Sequence, residues 1–316
     1  MSAVAVDEQP VLVHFGLHKT ASTWLQNQVL SNSEYGFASP WGTKSLLAKS
    51  QLVTVDPLDY DVNTAREAFT KALSPDGLPD GLLVISNEAL SSRPHQGDYY
   101  APWVAHRVKE VFPRARALLV VREQADQIRS LYSQHVHEGG RQKLIEFLGD
   151  GSEPDVWNPA CRLSFFHYDR LAALYDSVFG PENVLILPME LLRAAPDQFK
   201  ARLFAFCGLP EPDSLPSDSR NVSMSLSGVM LQRALNGIFR PNTLRPNDSG
   251  WYRACRKFCR RVDKRLPASM KARRKAQVVE MIASRVGDEY AASNRRLGER
   301  IDIDLAALGY DCGLAA

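Results

Sequence analysis

The chain has 316 residues, 45% of them hydrophobic, and its 38 Lys and Arg nearly balance 36 Asp and Glu, for a net charge of +2. That length and apolar content are enough to bury one large core, read here as a single domain over 1–316 with its core at about 10–210. The five cysteines (Cys161, Cys207, Cys255, Cys259, Cys312) are odd in number and scattered, which argues against a disulfide framework or a zinc site and fits a reducing compartment.

The first ten residues, MSAVAVDEQP, carry neither a basic n-region nor an apolar h-region, so no signal peptide is predicted. No run of about 18 apolar residues occurs, so no membrane span is predicted and the expected location is cytoplasmic. Val11, Leu12, Val13 and Phe15 then form a short apolar run, as expected of a parallel strand covered on both faces. Gly16 breaks it. Thr20, Ser22 and Thr23 supply hydroxyls where a helix should begin, and Trp24, Leu25, Gln28 and Val29 follow at helical spacing. Such a turn aims free backbone N–H groups and a positive helix end at one spot, which suits phosphate or sulfate, and Lys19 adds a mobile point charge. The lysine comes early in the loop, unlike the Walker A order G-x-x-x-x-G-K-[ST].

A helix is predicted around Thr64–Leu73, followed by a Ser74-Pro75-Asp76-Gly77 loop. Gly81 to Ser86 reads as a second strand, with Glu88 just past its end. Ala117 to Val121 is a third apolar run with Arg122 at its end, and Ser130 falls eight residues later inside the next helix. A fourth strand spans Val184–Leu187, with Glu190 after it in a structural role. Strands ending near Phe15, Ser86, Val121 and Leu187, separated by helical segments, imply an α/β fold with a P-loop-like parallel sheet and right-handed crossovers. Insertions at 31–80, 137–166 and 209–250 are expected to form the substrate wall.

The run Lys19-Thr20-Ala21-Ser22-Thr23-Trp24 resembles the 5′-phosphosulfate loop of sulfotransferases that use 3′-phosphoadenosine 5′-phosphosulfate (PAPS), K-[ST]-G-[ST]-[ST]-x, with Ala21 in place of glycine. Arg122 and Ser130 stand at the spacing of the arginine and serine that hold the nucleotide's 3′-phosphate in that family. The passage 171–208 and the C-terminal stretch SNRRLGERIDIDLAALGY are also similar to bacterial members.

The resemblance implies PAPS as sulfuryl donor, no metal, and a hydroxyl acceptor on a carbohydrate or glycolipid. It implies that the loop from Thr20 to Thr23 holds the 5′-phosphate and that Lys19 stabilises the bridging oxygen. Trp24 either contacts adenine or packs as a first-turn core residue. The base is placed between the two phosphate motifs, with Glu88 and His18 as candidates, while His135 and His137 line the acceptor site or the surface. Arg220 takes the place of a late basic loop over the 3′-phosphate, although the R-K-G signature is absent. The rival readings are a P-loop-type nucleotide kinase or NTPase, and a nucleotide-binding protein without turnover.

From Trp251 to Lys275 there are 11 Lys or Arg against one acid, Asp263. Trp251, Cys255, Phe258, Cys259, Val262 and Leu266 fall at helical spacing, so this segment reads as a basic amphipathic helix ended by Pro267. It is either a core-packed helix with a solvated basic face, or a site for an anionic acceptor or an anionic membrane at the inner face. No nucleic-acid partner is expected, because no recognition motif accompanies the charge.

Overall fold

The computed structural model describes residues 6–73, 78–154, 157–216, 224–239 and 250–313. Arg220, Arg240, Arg245 and the Ser74–Gly77 loop lie outside them. Five parallel strands form one sheet in the order β2-β3-β1-β4-β5: β1 Val11–Phe15, β2 Phe37–Ala38, β3 Leu82–Asn87, β4 Ala115–Val121 and β5 Val184–Pro188. β1 is central, with Val11 opposite Leu83 on one side and Ala115 on the other. All five of its residues are buried, which is why its sequence reads as an unbroken run rather than an alternation.

The four expected strands end within a residue of their predicted limits, and β2 is an addition. It is a two-residue edge strand pairing with Leu82 and Leu83, too short to show any pattern. The chain leaves β1 toward β3 on one side and later returns to β4 on the other. The carboxyl end of β1 is therefore a topological switch point, where ligands bind in open α/β sheets.

Seven further elements matter for the site. After the loop comes α1 (Ser22–Trp24), which opens into a π-helical turn over Leu25–Val29. The wider turn buries Gln26 rather than the expected Gln28, and the Gln26 amide donates to Ser86 Oγ at 3.0 Å. The predicted helix near 64–73 is α2, Val62–Lys71, capped by the Asp61 side chain on the Thr64 N–H. Then come α3 (Gln124–His137), α4 (Leu226–Phe239), α5 (Gly250–Arg265) and α6 (Ala268–Val286). Helices α4 and α6 pack on α3, and α5 packs on α4, so the basic C-terminal segment folds back beside the helix that follows β4.

Helix α5 ends before Pro267, as expected, but its buried stripe differs from the expected one. Tyr252, Cys255, Cys259 and Asp263 face inward, while Trp251 and Phe258 are 78% and 53% exposed. The Tyr252 hydroxyl donates to the His137 carbonyl at 2.9 Å, and Asp263 accepts from the Ser225 N–H at 2.9 Å and from its hydroxyl. Those polar handles outweigh the apolar gain of turning the two rings inward. Cys255 and Cys259 serve as core residues, as expected.

Candidate active site

The carboxyl ends of β1, β3 and β4 bring the loop at 16–24, Glu88 and Arg122 to one end of the sheet. Gly16 is needed there by close approach. A Cβ at this position would sit 3.2 Å from Ser22 Oγ and 3.4 Å from the Glu88 Cα. The loop then turns through two left-handed residues, Lys19 at φ +71° and Ala21 at φ +59°. Ala21 thus adopts the conformation for which the family pattern has glycine, at a cost of about 1 kcal/mol. The Thr20 hydroxyl donates to the Leu17 carbonyl at 2.7 Å, and the Ser22 hydroxyl donates to the same oxygen at 3.1 Å. Both are buried and tie the loop to itself, whereas Thr23 is exposed. The first-turn amides of α1 are the groups left to meet an anion.

Trp24 is buried, and its indole N–H donates to the Pro216 carbonyl at 3.0 Å, so it ties this helix to the chain after β5. Glu190 is likewise structural. It accepts from the Glu123 N–H at 3.2 Å and from the Tyr310 hydroxyl at 2.9 Å.

Beside the loop lies a cleft of about 400 Å³ lined by Lys19, Arg122, Arg129, Lys271 and Lys275, together with Ser130, Ser133, Ser225 and His137. Among the described residues, no carboxylate lines it. Arg122 extends from the end of β4 and donates to the Lys19 carbonyl at 3.3 Å, joining the two predicted phosphate motifs. Asp126 orients both arginines from behind, at 3.0 Å from Arg122 Nη2 and 2.6 Å from Arg129 Nη2. Burial pushes its carboxyl up, but the two guanidiniums outweigh that and hold it below the usual range. The Arg122 Nε and His137 Nε2 are buried without a hydrogen-bond partner among the described residues. A cationic cleft with unmet donors and no acid fits a phosphate-bearing ligand.

Arg129, Lys271 and Lys275 were not singled out for this cleft from the sequence. The charge run around 251–275 was visible, but not that its last turn enters the site through α6. His137 faces the same cleft. Burial, with Arg256, Lys19 and Arg260, lowers its pKa to about 4, so it is neutral at pH 7. His135 instead bonds the His95 carbonyl at 2.9 Å and packs against Phe147.

On the other side of Lys19 sits a cluster of two histidines and two carboxylates. His18 Nδ1 lies 3.5 Å from Glu88 Oε2, and the His18 ring meets the His95 ring edge-on at 4.5 Å between centroids. His95 Nε2 is 3.2 Å from Glu138, which also accepts from Gln134 at 2.6 Å. Burial pushes the Glu88 carboxyl up, but His18, Lys44 and His14 together leave it below its ordinary value, so it is ionised at neutral pH. Burial chiefly lowers the Lys19 pKa, with Arg122 adding to it and Glu88 and Glu138 opposing.

His14, at the centre of β1, bonds Ser86 Oγ at 2.8 Å, and burial lowers its pKa to about 4. The unfolded chain takes up this proton near pH 6.5 and the folded chain only near 4, so stability is present above 6.5 and is lost as the pH falls between them. His14 alone contributes a loss of about 3 kcal/mol by pH 4. Urea unfolding followed from pH 7.5 to 4.5 should show that decline, and His14→Asn should make it shallower by His14's share while leaving that of His137. Parallel curves would show that His14 does not titrate across this range.

Among the described residues, no group of three or more His, Cys, Asp or Glu could hold a metal ion, and no helix is long and apolar enough to cross a membrane. No protein-family model matches the chain, and no curated protein matches it. Among solved structures, a sulfotransferase from Alicyclobacillus acidocaldarius aligns over 95% of this chain and 99% of its own, at 16% identity and a TM-score of 0.56. A mouse sulfotransferase complexed with PAP aligns over 94% and 90% at 12% identity, with a TM-score of 0.39 that carries no weight. The alignment over nearly the full length of both chains, with a TM-score of 0.56, leads to one conclusion: this chain has the sulfotransferase fold.

Proposed function

We propose that the protein transfers a sulfuryl group from PAPS to a hydroxyl, on a carbohydrate or glycolipid acceptor. The observation that carries this reading is the cleft where Lys19, Arg122, Arg129, Lys271 and Lys275 converge with no carboxylate among the described residues, next to the ionised Glu88 and its partner His18. PAPS supplies a sulfuryl group whose departure leaves negative charge on a phosphate oxygen. The α1 amides and Lys19 bind and neutralise the 5′-phosphate end, where charge grows during transfer. Arg122, Ser130 and Arg129 from the β4 end and α3, with Lys271 and Lys275 from α6, hold the 3′-phosphate. Glu88 accepts the acceptor's proton and becomes neutral, with His18, 3.5 Å away, positioning its carboxylate beforehand. A carboxylate base, Glu88, supports a sugar hydroxyl as the acceptor, because in the family the sequence resembles the base is a Glu in carbohydrate-modifying members and a His in others.

Calorimetric titration with adenosine 3′,5′-bisphosphate, AMP and ATP tests the reading. Micromolar binding of the bisphosphate, with AMP far weaker, is expected because the cleft offers cations for two separate phosphates. A preference for ATP would indicate phosphoryl chemistry instead. Absence of binding to all three would remove the nucleotide from the proposal altogether.

A further inference from the structure

Helix α5 presents its unpacked side to solvent. Its inward stripe is Tyr252, Cys255, Cys259 and Asp263, and the opposite side carries Arg253, Lys257, Arg260, Arg261 and Lys264, all exposed. The only acid in the segment, Asp263, is turned inward onto Ser225, so it does not offset these charges at the surface. Along one edge of the basic side stand Trp251 and Phe258, 78% and 53% exposed. They are seven residues apart, so they stack two turns along the same line of the helix.

Large aromatic rings left in water beside a dense cationic face gain nothing from solvent. An anionic bilayer rewards both features at once. Lys and Arg meet the negative headgroups, and Trp and Phe settle at the boundary with the acyl chains. A soluble polyanion satisfies the charges but gives the rings no apolar phase to enter. We infer that the exposed face of α5, Trp251 and Phe258 included, docks the protein on an anionic lipid bilayer. Helix α6, which follows across Pro267, carries Lys271 and Lys275 into the cleft, so docking through α5 holds the cleft close to the membrane plane. The inference concerns where the protein works and does not depend on the reaction it performs.

The test is co-sedimentation of the full chain with phosphatidylcholine vesicles, with and without phosphatidylglycerol. Sedimentation is expected only with the anionic lipid and should weaken steeply as salt rises. Reversing two charges remote from the cleft, in the double variant K257E/R261E, should weaken partitioning at least about tenfold. Removing the rings in W251S/F258S at unchanged charge should weaken it several-fold, with circular dichroism and adenosine bisphosphate binding unaltered in both. Equal sedimentation with neutral vesicles would overturn the inference, as would none with either lipid. Binding that ignores both double variants would do the same, as would capture by duplex DNA without capture by vesicles.

Discussion

Replacing Lys19 by alanine should lower the rate of sulfuryl transfer about 10²- to 10³-fold, measured as turnover of PAPS with any acceptor found by screening. The size follows from where the lysine sits. Its backbone is held in the left-handed region by the turn, and its carbonyl is pinned by the Arg122 guanidinium at 3.3 Å. The side chain is partly buried between the cationic cleft and the Glu88–His18 pair, so its charge acts through a medium less polarisable than water. A charge fixed at that point contributes less to ground-state binding than to the transition state, because the loop amides already meet the 5′-phosphate and four other cations line the cleft. Its effect belongs to the transition state, when the bond to sulfur breaks and the bridging oxygen needs a partner. Bisphosphate affinity in K19A should therefore fall far less than turnover does. Lys19→Arg should restore little, since a planar fork cannot place its charge where a compact ammonium does. Transfer within threefold of the parent in K19A would mean that this loop does not face the reacting group.

What the sequence disclosed, and what it withheld, divide along physical lines. β1, β3, β4 and β5 were legible because strands buried on both faces must be apolar at every position, a signal local to a few residues. β2 was not, since two residues pairing at an edge need no pattern. The π-turn after Trp24 was hidden because helical spacing assumes 3.6 residues per turn, and one wider turn exchanges Gln28 for Gln26 on the buried face. The loop at 19–24 and the Arg122–Ser130 spacing could be read because each is contiguous or nearly so. Arg129, Lys271 and Lys275 could not be assigned, because nothing local to Lys271 says which way α6 turns after Pro267. The orientation of α5 was misread for a chemical reason. Hydrophobicity ranks Trp251 and Phe258 above Tyr252 and Asp263, yet the latter two reach half-buried hydrogen-bond partners at 2.9 Å. Thr20 and Ser22 match the loop pattern, but their hydroxyls are satisfied within the loop, which leaves backbone amides as the main contact for an anion.

The second large effect concerns the cations across the cleft. Arg122→Ala should weaken adenosine 3′,5′-bisphosphate binding by about 2–3 kcal/mol and AMP binding by clearly less, as read by titration calorimetry. Arg122 Nε is buried with no partner among the described residues, so it has a donor free for a phosphate oxygen while Nη1 and Nη2 hold the Lys19 carbonyl and Asp126. The AMP effect is expected from the bond to the Lys19 carbonyl, because removing the guanidinium also loosens the loop at 16–24. The double variant K271A/K275A separates the two effects. Among the described residues neither lysine side chain bonds the loop, and both reach the cleft from α6, so a dedicated 3′-phosphate site should lose about tenfold in bisphosphate affinity with AMP unaffected. If both variants weaken AMP as much as the bisphosphate, the five cations act as one diffuse field around a single phosphate. The preference for a doubly phosphorylated nucleotide, and PAPS as donor with it, would then lose its structural basis. If only the bisphosphate suffers, a basic segment more than 140 residues from Arg122 has been folded back to complete the nucleotide site.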